Sequence, residues 1–149
     1  MRKILILDTS VFMNILDIPR FNQHRNEVMA EFQAETKLLS SFYIPYGTIL
    51  ETGNHIAQIK KPHSILMFAE KFKKTLMGIL NGEAESWAII GDSPDRKKII
   101  QLLEDFPFKA QAGIGWVDAT IIKEFEEQRL GSQSVKIWSI DKHLKGYES

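Results

Sequence analysis

The sequence predicts an α/β domain with a mainly parallel sheet, and two observations lead to that prediction. Short apolar segments alternate along the chain with longer segments in which apolar residues recur every three or four positions. This is the pattern of strands separated by helices. The first apolar segment is a continuous aliphatic run, which is typical of a strand buried on both faces. With 149 residues and the composition of an ordinary globular protein, we expect a single domain over 1–149.

The first strand is predicted over 3–7 and is followed directly by Asp8, Thr9 and Ser10. In an open parallel sheet, ligands bind at the carboxyl ends of central strands. A carboxylate placed there is costly to bury without a cationic partner, so Asp8 is a candidate functional residue. The alternative is that one of these three polar residues caps the helix that begins near Val11, and this stretch alone favours neither interpretation.

Six helices are predicted from the spacing of their apolar residues and from residues that favour helix ends. Their predicted ranges are 11–16, 22–39, 48–60, 62–80, 92–106 and 116–129. Pro62 and Pro94 suit the first turn of a helix, and Gly82 suits the residue that follows one. Pro107 is expected to end the fifth helix, and two glycines predict a loop over 108–115.

Three further strands are predicted over 42–45, 86–90 and 135–141. The segment 86–90 is interpreted as a strand rather than a helix because it is short and is followed by Gly91. A turn is expected over 131–134. The last strand, like the first, ends in a carboxylate, Asp141. Only eight residues follow it, so we do not expect another full strand.

Composition narrows the class of protein. The formal net charge is zero, so no overall field favours a nucleic acid or a membrane surface. The absence of cysteine excludes disulfides and thiol chemistry. No apolar stretch reaches the length of a membrane span, and no glycine-rich phosphate loop is present. We therefore expect a cytoplasmic protein with no membrane partner.

Four acidic residues are candidates for one site. Asp8 and Asp141 follow strands, and the carboxyl ends of parallel strands share one edge of the sheet. Asp118 lies on the apolar side of its helix, where a structural salt bridge is the alternative. Glu51 is the only charged residue on a polar helix face, where a solvated surface glutamate is the alternative.

Together these acids suggest a metal site. Crowded carboxylates repel one another and raise each other's pKa, and a divalent cation removes that penalty. Mg²⁺ and Mn²⁺ prefer oxygen ligands and keep water or substrate phosphate in their coordination shell.

Four segments of the chain resemble motifs of the PIN-domain nucleases, particularly the VapC-like toxin ribonucleases. They are ILILDTSVFMNIL at the N-terminus, ILETGNHI, GWVDATII and IWSIDKHLKGY near the C-terminus. Their order and approximate spacing resemble the family pattern over nearly the whole chain. The resemblance implies a three-layer α/β/α sandwich and an endoribonuclease that cleaves RNA with a metal-activated water. It implies Mg²⁺ or Mn²⁺ as cofactor, and an antitoxin protein as partner where the chain belongs to the toxin branch.

Carried over by motif, the family's catalytic and metal-binding acids fall on Asp8, Glu51, Asp118 and Asp141. Its supporting hydroxyl residues fall on Ser10 and Ser139, where threonine is more usual at the second position. A homodimer is a further expectation, because a dimer would assemble a basic groove that the neutral chain lacks. The segment 86–113 matches no family motif.

Two other functions remain open. The same fold could serve as a non-catalytic RNA- or protein-binding module. A phosphatase of the haloacid-dehalogenase kind would use Asp8 as a nucleophile, but it normally needs a second aspartate two residues later, where this chain has Ser10.

The remaining expectations concern residues outside the predicted site. The three tryptophans, Trp87, Trp116 and Trp138, are expected in the core rather than as surfaces on which bases stack. Glu124 is expected to face solvent. The basic run 96–98 is expected on a solvated helix face, with phosphate contact as the alternative. His55 and His143 lie near the acids in sequence but are left outside the predicted site.

Overall fold

The computed structural model describes residues 2–131 and 133–149, and its centre is a four-stranded parallel sheet with the order β3-β2-β1-β4. The strands are β1 (Lys3–Leu7), β2 (Ser41–Pro45), β3 (Trp87–Ile90) and β4 (Ser134–Trp138). The helices are α1 (Thr9–Ile15), α2 (Arg25–Lys37), α3 (Tyr46–Ala57), α4 (Pro62–Leu80), α5 (Arg96–Gln111) and α6 (Trp116–Gln128). The predicted α/β class with a parallel sheet is confirmed.

The sheet is covered by helices on both faces. Alternate residues of β1 enter different cores: Leu5 packs with residues of α1, α2 and α4, whereas Ile6 packs with residues of α6. Ile4 to Leu7 are all buried, as a strand covered on both faces requires. The layers are therefore α/β/α, as expected.

The strand order creates a switch point between β1 and β4. The chain moves outward from β1 to β2 and β3, then returns across the sheet through α5 and α6 to place β4 beside β1. The register pairs Lys3 with Ser134 and Leu7 with Trp138. At such a reversal the connections leave in opposite directions and open a crevice at the carboxyl ends of the strands, where ligands bind in open α/β sheets.

The predicted end of the fifth helix was wrong. Helix α5 runs through Pro107 to Gln111, although proline cannot donate the usual backbone hydrogen bond. Phe106 packs edge to face against Trp116 at a centroid distance of 5.2 Å, which holds this part of α5 against the start of α6. The first residue of the helix is also later than predicted: Asp95 is the cap, and its side chain accepts from the Lys98 N–H at 2.8 Å.

The predicted strand 135–141 was wrong at its carboxyl end. β4 stops at Trp138, so Asp141 lies three residues beyond the strand. The final residues then pair with β4: Ile137 N–H donates to the Tyr147 carbonyl at 2.9 Å, and an isolated antiparallel bridge joins Lys136 to Glu148. The predicted turn over 131–134 includes Ser132, which lies outside the described residues.

Several apolar residues of the predicted helices lie on the surface rather than in the core. Leu38 and Leu39 at the end of α2, and Ile99, Ile100 and Leu103 on α5, are exposed, so the apolar stripes of these helices are narrower than the sequence indicated. Among the described residues, no helix combines the length and the apolar character needed to cross a bilayer.

Candidate active site

Asp8 is held at the carboxyl end of β1 by two serine hydroxyls. Its Oδ2 accepts hydrogen bonds from Ser10 Oγ at 2.8 Å and from Ser139 Oγ at 2.7 Å. Asp8 occupies the N-cap position of α1, but its side chain makes no cap hydrogen bond. The alternative in which one of the polar side chains of residues 8–10 caps the helix is therefore wrong, and the carboxylate of Asp8 is directed to other partners.

The same two hydroxyls fix the loop after β4. Ser10 Oγ accepts from the Ile140 N–H at 3.1 Å, and Ser139 Oγ accepts from the Asp141 N–H at 2.9 Å. These bonds explain why the strand ends early, since the N–H groups that would extend it bind side chains instead. They also place Asp141 beside Asp8 across the switch point.

Glu51 reaches this edge because α3 is anchored to β1. Thr48 Oγ1 donates to the Leu7 carbonyl at 2.8 Å, and Glu51 follows Thr48 within one helical turn. The Glu51 carboxylate is partly exposed, and its nearest basic group is His55 Nε2, 3.9 Å from Oε1.

Asp118 is positioned by the close packing of α6 against α3. A Cβ added to Gly47 would lie 2.8 Å from Thr120 Oγ1 and 3.3 Å from Val117 Cγ1, so the glycine permits the two helices to approach. Ile121 and Ile122, on the same side of α6 as Asp118, are buried in the core, which confirms that this acid borders the apolar face.

The four carboxylates interact electrostatically. The pKa of Asp118 is raised to about 6, first by burial and then by the charges of Asp8, Asp141 and Glu51. The charge of His143 opposes this rise. Burial also raises the pKa of Glu51, followed by the charges of Asp8 and Asp141.

No lysine or arginine side chain pairs with this cluster within the described residues. None of the four carboxylates has a Lys or Arg nitrogen within 4.0 Å. The salt-bridge alternative for Asp118 therefore lacks a partner in this part of the chain. A group of acids at a strand edge in which Glu51 and Asp118 have raised pKa values is characteristic of functional sites.

The carboxylate oxygens of the cluster suit a hard divalent cation, but their arrangement is not a complete coordination site. Across residues 2–131 and 133–149, no three His, Asp or Glu side chains are arranged so that together they could hold a metal ion. Mg²⁺ commonly binds through one or two carboxylates and retains several waters, so a complete protein cage is not required. Beside two of the acids, the buried hydroxyls of Thr9 and Thr52 have no hydrogen-bond partner among the described residues.

The sequence interpretation misjudged some side chains near this edge. Glu124 was predicted to face solvent, but it is buried and paired with Lys98, which also bonds Glu127 Oε2 at 3.0 Å. The sequence signal that indicates this burial is the position of Glu124 beside the buried apolar stripe of α6. Trp116 was predicted in the core but is exposed, whereas Trp138 is buried as predicted and Trp87 packs against the core.

No protein-family model matches this chain, and no curated protein matches it. The assignment to a family is therefore a proposal, and the fold and the placement of the four acids are its support.

Proposed function

We propose that this chain is a metal-dependent endoribonuclease of the PIN-domain type. The observation that carries the proposal is the convergence of Asp8, Glu51, Asp118 and Asp141 in one electrostatic cluster with no nearby Lys or Arg in the described structure. Such surplus charge raises the free energy of the folded state. A cation bound to the cluster would remove that penalty.

In this proposal each acid has a role set by its environment. Asp8 is the most rigidly held, because Ser10 and Ser139 fix one of its oxygens. It would hold Mg²⁺ or Mn²⁺ directly, and Asp118 and Asp141 would hold the ion directly or through its retained waters. Glu51, which is partly exposed, would bind the ion directly or through water, or would orient the attacking water.

When bound, the ion would lower the pKa of water and neutralise charge at the phosphoryl group. The cluster of four acids would orient the phosphodiester so that water attacks in line with the leaving oxygen. The resemblance implies products with a 5′-phosphate and a 3′-hydroxyl. An enzyme acting on cellular RNA in this way would work in the cytoplasm.

The test compares cleavage of a mixed single-stranded RNA by the wild-type chain and by Asp8→Asn, with Mg²⁺ or Mn²⁺ and then with excess EDTA. We expect metal-dependent cleavage that falls at least about 100-fold in the variant, since metal-assisted stabilisation is worth several kcal/mol. Asp105→Asn is the matched control, because Asp105 is an exposed acid on α5. Cleavage that persists in EDTA, or equal rates for wild type and Asp8→Asn, would contradict the proposal.

Metal binding can also be measured without activity. At an Mg²⁺ concentration ten times its Kd, binding to the folded state adds about 1.4 kcal/mol to the free energy of unfolding. We expect thermal denaturation to show this gain for wild type and Asp105→Asn, but not for Asp118→Asn.

A non-catalytic binding module is the second candidate, and the lack of a ready-made three-ligand group in the described residues favours it. It predicts that the chain binds RNA but leaves it intact with any divalent cation. Binding that is unchanged by Asp8→Asn, without turnover, would establish this alternative.

A protein partner belongs to the same proposal. An antitoxin or a second copy of the chain would need an apolar contact surface, and α4 exposes Leu66 and Met67. Light scattering of the purified chain distinguishes a homodimer from a monomer.

A further inference from the structure

A cavity of about 310 Å³ lies between α3, α5 and α6. We call it the α3–α6 pocket and define it by Tyr46, Leu50, Ile99, Leu102, Trp116 and Val117, which are among the residues that line it. Most of its surface is apolar side chain. The proposed function does not use these residues.

The pocket shares two helices with the candidate active site. Leu50 directly precedes Glu51 on α3, and Val117 directly precedes Asp118 on α6. Two residues that line the pocket are therefore adjacent in sequence to two of the acids, one helical position away, which is about 1.5 Å along the helix axis.

Two aromatic side chains of the pocket are exposed. Tyr46 is 41% and Trp116 38% exposed, in contrast to the 3% of Trp138 in the core. Phe106 packs edge to face on the Trp116 ring and so restrains its orientation. Exposed aromatic faces beside a phosphodiester site are the surfaces on which single-stranded nucleic acids stack their bases.

The pocket also contains a polar pair. Glu124, only 6% exposed, contacts the Lys98 ammonium, and both residues line the cavity. A carboxylate and an ammonium together offer an acceptor and donors, which complement the edge of a nucleobase. An apolar side chain of a protein partner would form a hydrogen bond with neither the carboxylate nor the ammonium.

We propose that the α3–α6 pocket holds one nucleobase of a single-stranded RNA substrate, next to the phosphodiester that is cleaved, with its ring stacked on Trp116 or Tyr46. This inference rests on the proposed function and specifies how the substrate is held. The exposed aromatic rings, the ion pair in the lining and the position of the pocket on the helices that carry Glu51 and Asp118 favour a base over an apolar segment of a protein partner.

The experiment combines protein and RNA changes. We compare wild type, Trp116→Ala and Phe108→Ala on a short single-stranded RNA that has one cleavage site. Each protein is also assayed on a set of RNAs of the same sequence, each of which carries one abasic site at a different position beside that bond. Phe108 is the matched control, because it is 78% exposed on α5 and does not line the pocket. Urea denaturation verifies that each variant is folded, and Ile99→Trp, which narrows the pocket, provides a second variant.

We expect Trp116→Ala and Ile99→Trp to lower kcat/KM on intact RNA by roughly 5- to 100-fold, the range measured for loss of base–aromatic stacking. Phe108→Ala should match wild type. At one abasic position, wild type and Trp116→Ala should become equal, because the base that the pocket would hold has been removed.

The outcomes separate this inference from the proposed function. If wild type cleaves RNA but Trp116→Ala and Ile99→Trp leave kcat/KM unchanged, the pocket is not a base site, a protein segment becomes its remaining occupant, and the nuclease proposal stands. The inference also fails if Trp116→Ala is equally harmful at every abasic position.

If wild type cleaves no RNA, the proposed function fails. Fluorescence polarisation of the labelled intact RNA then decides the inference: weaker binding by Trp116→Ala supports it, and equal binding overturns it.

Discussion

Glu35 is buried and Asp118 is half-buried, but they lie at opposite edges of the sheet and have opposite electrostatic surroundings. Glu35, at the amino edge, accepts from Lys3 Nζ at 2.7 Å and from Ser40 Oγ at 2.5 Å. Asp118, at the carboxyl edge, has other carboxylates nearby and no Lys or Arg within salt-bridge distance in the described residues.

The pKa shifts of the two acids have opposite signs. Burial raises the pKa of Glu35, but hydrogen bonds from Lys3 and Ser40 and the positive charges nearby outweigh it, so the pKa is lowered. For Asp118, burial and the neighbouring acids act in the same direction and raise the pKa to about 6. The amino edge is thus arranged for stability, whereas the carboxyl edge keeps uncompensated charge, as binding and catalytic sites often do.

The largest expected effect comes from neutralising each acid in turn. Glu35→Gln should reduce the free energy of unfolding at neutral pH by about 2 kcal/mol, because it leaves the Lys3 ammonium without its charged partner. Asp118→Asn should increase it by about 1 kcal/mol, because it removes repulsion from a partly exposed site. Urea denaturation measures both. A loss of stability in Asp118→Asn would mean that this acid is structural, and the contrast between the edges would disappear.

A smaller effect tests how the carboxyl edge is assembled. Gly47→Ala should destabilise the chain by about 1–2 kcal/mol, because its methyl group would crowd Thr120 and Val117 where α3 meets α6. Gly53→Ala in the same helix is the matched control. Its Cβ would meet only Phe72 Cζ, at 3.8 Å, so higher helix propensity should stabilise the chain by about 0.5–1 kcal/mol. RNA cleavage should fall in the first variant alone, and equal behaviour of the two would refute the close-packing explanation.

The smallest effect is the pH dependence of stability. The pKa of Asp118 rises from its ordinary 3.8 to about 6 on folding, so the folded state binds more protons between these values. The free energy of unfolding should therefore decrease as the pH rises from 4 to about 6. Asp118→Asn should lack this decrease, so its advantage over wild type should vanish near pH 4 and be complete above about pH 6.

Glu35 should contribute a pH dependence of the other sign. Its pKa is lowered on folding, so its stabilising contribution is present above the unfolded pKa and is lost as the pH falls through the folded value. Denaturation curves of Glu35→Gln and wild type should converge in acid. Divergence there would contradict the assigned direction.

The sequence predicted the apolar framework of the fold better than its polar contacts. The aliphatic run before Asp8 and the stripe of Ile121 and Ile122 have strong local signals, because burial requires apolar residues at fixed spacing. The pairing of Lys3 with Glu35 has no such signal: it joins residues 32 apart, and only the register of β1 against the end of α2 brings them together.

Other errors arose where contacts between residues distant in sequence outweighed a local sequence pattern. The sequence 135–141 looks like a continuous strand, but Ser10 and Ser139 take the N–H groups of Ile140 and Asp141. Likewise α5 continues past Pro107, since contact with α6 outweighs a local helix breaker. Both outcomes depend on residues distant in sequence, which propensity alone does not include.

The paired serines at Asp8 have a consequence for the newly made protein. Ser139 lies 131 residues after Asp8, so a chain still being synthesised holds its first site carboxylate long before the second hydroxyl exists. The geometry of the site can form only after residue 139 has left the ribosome and β4 has inserted beside β1. Chains that are interrupted before residue 139 therefore lack this arrangement altogether.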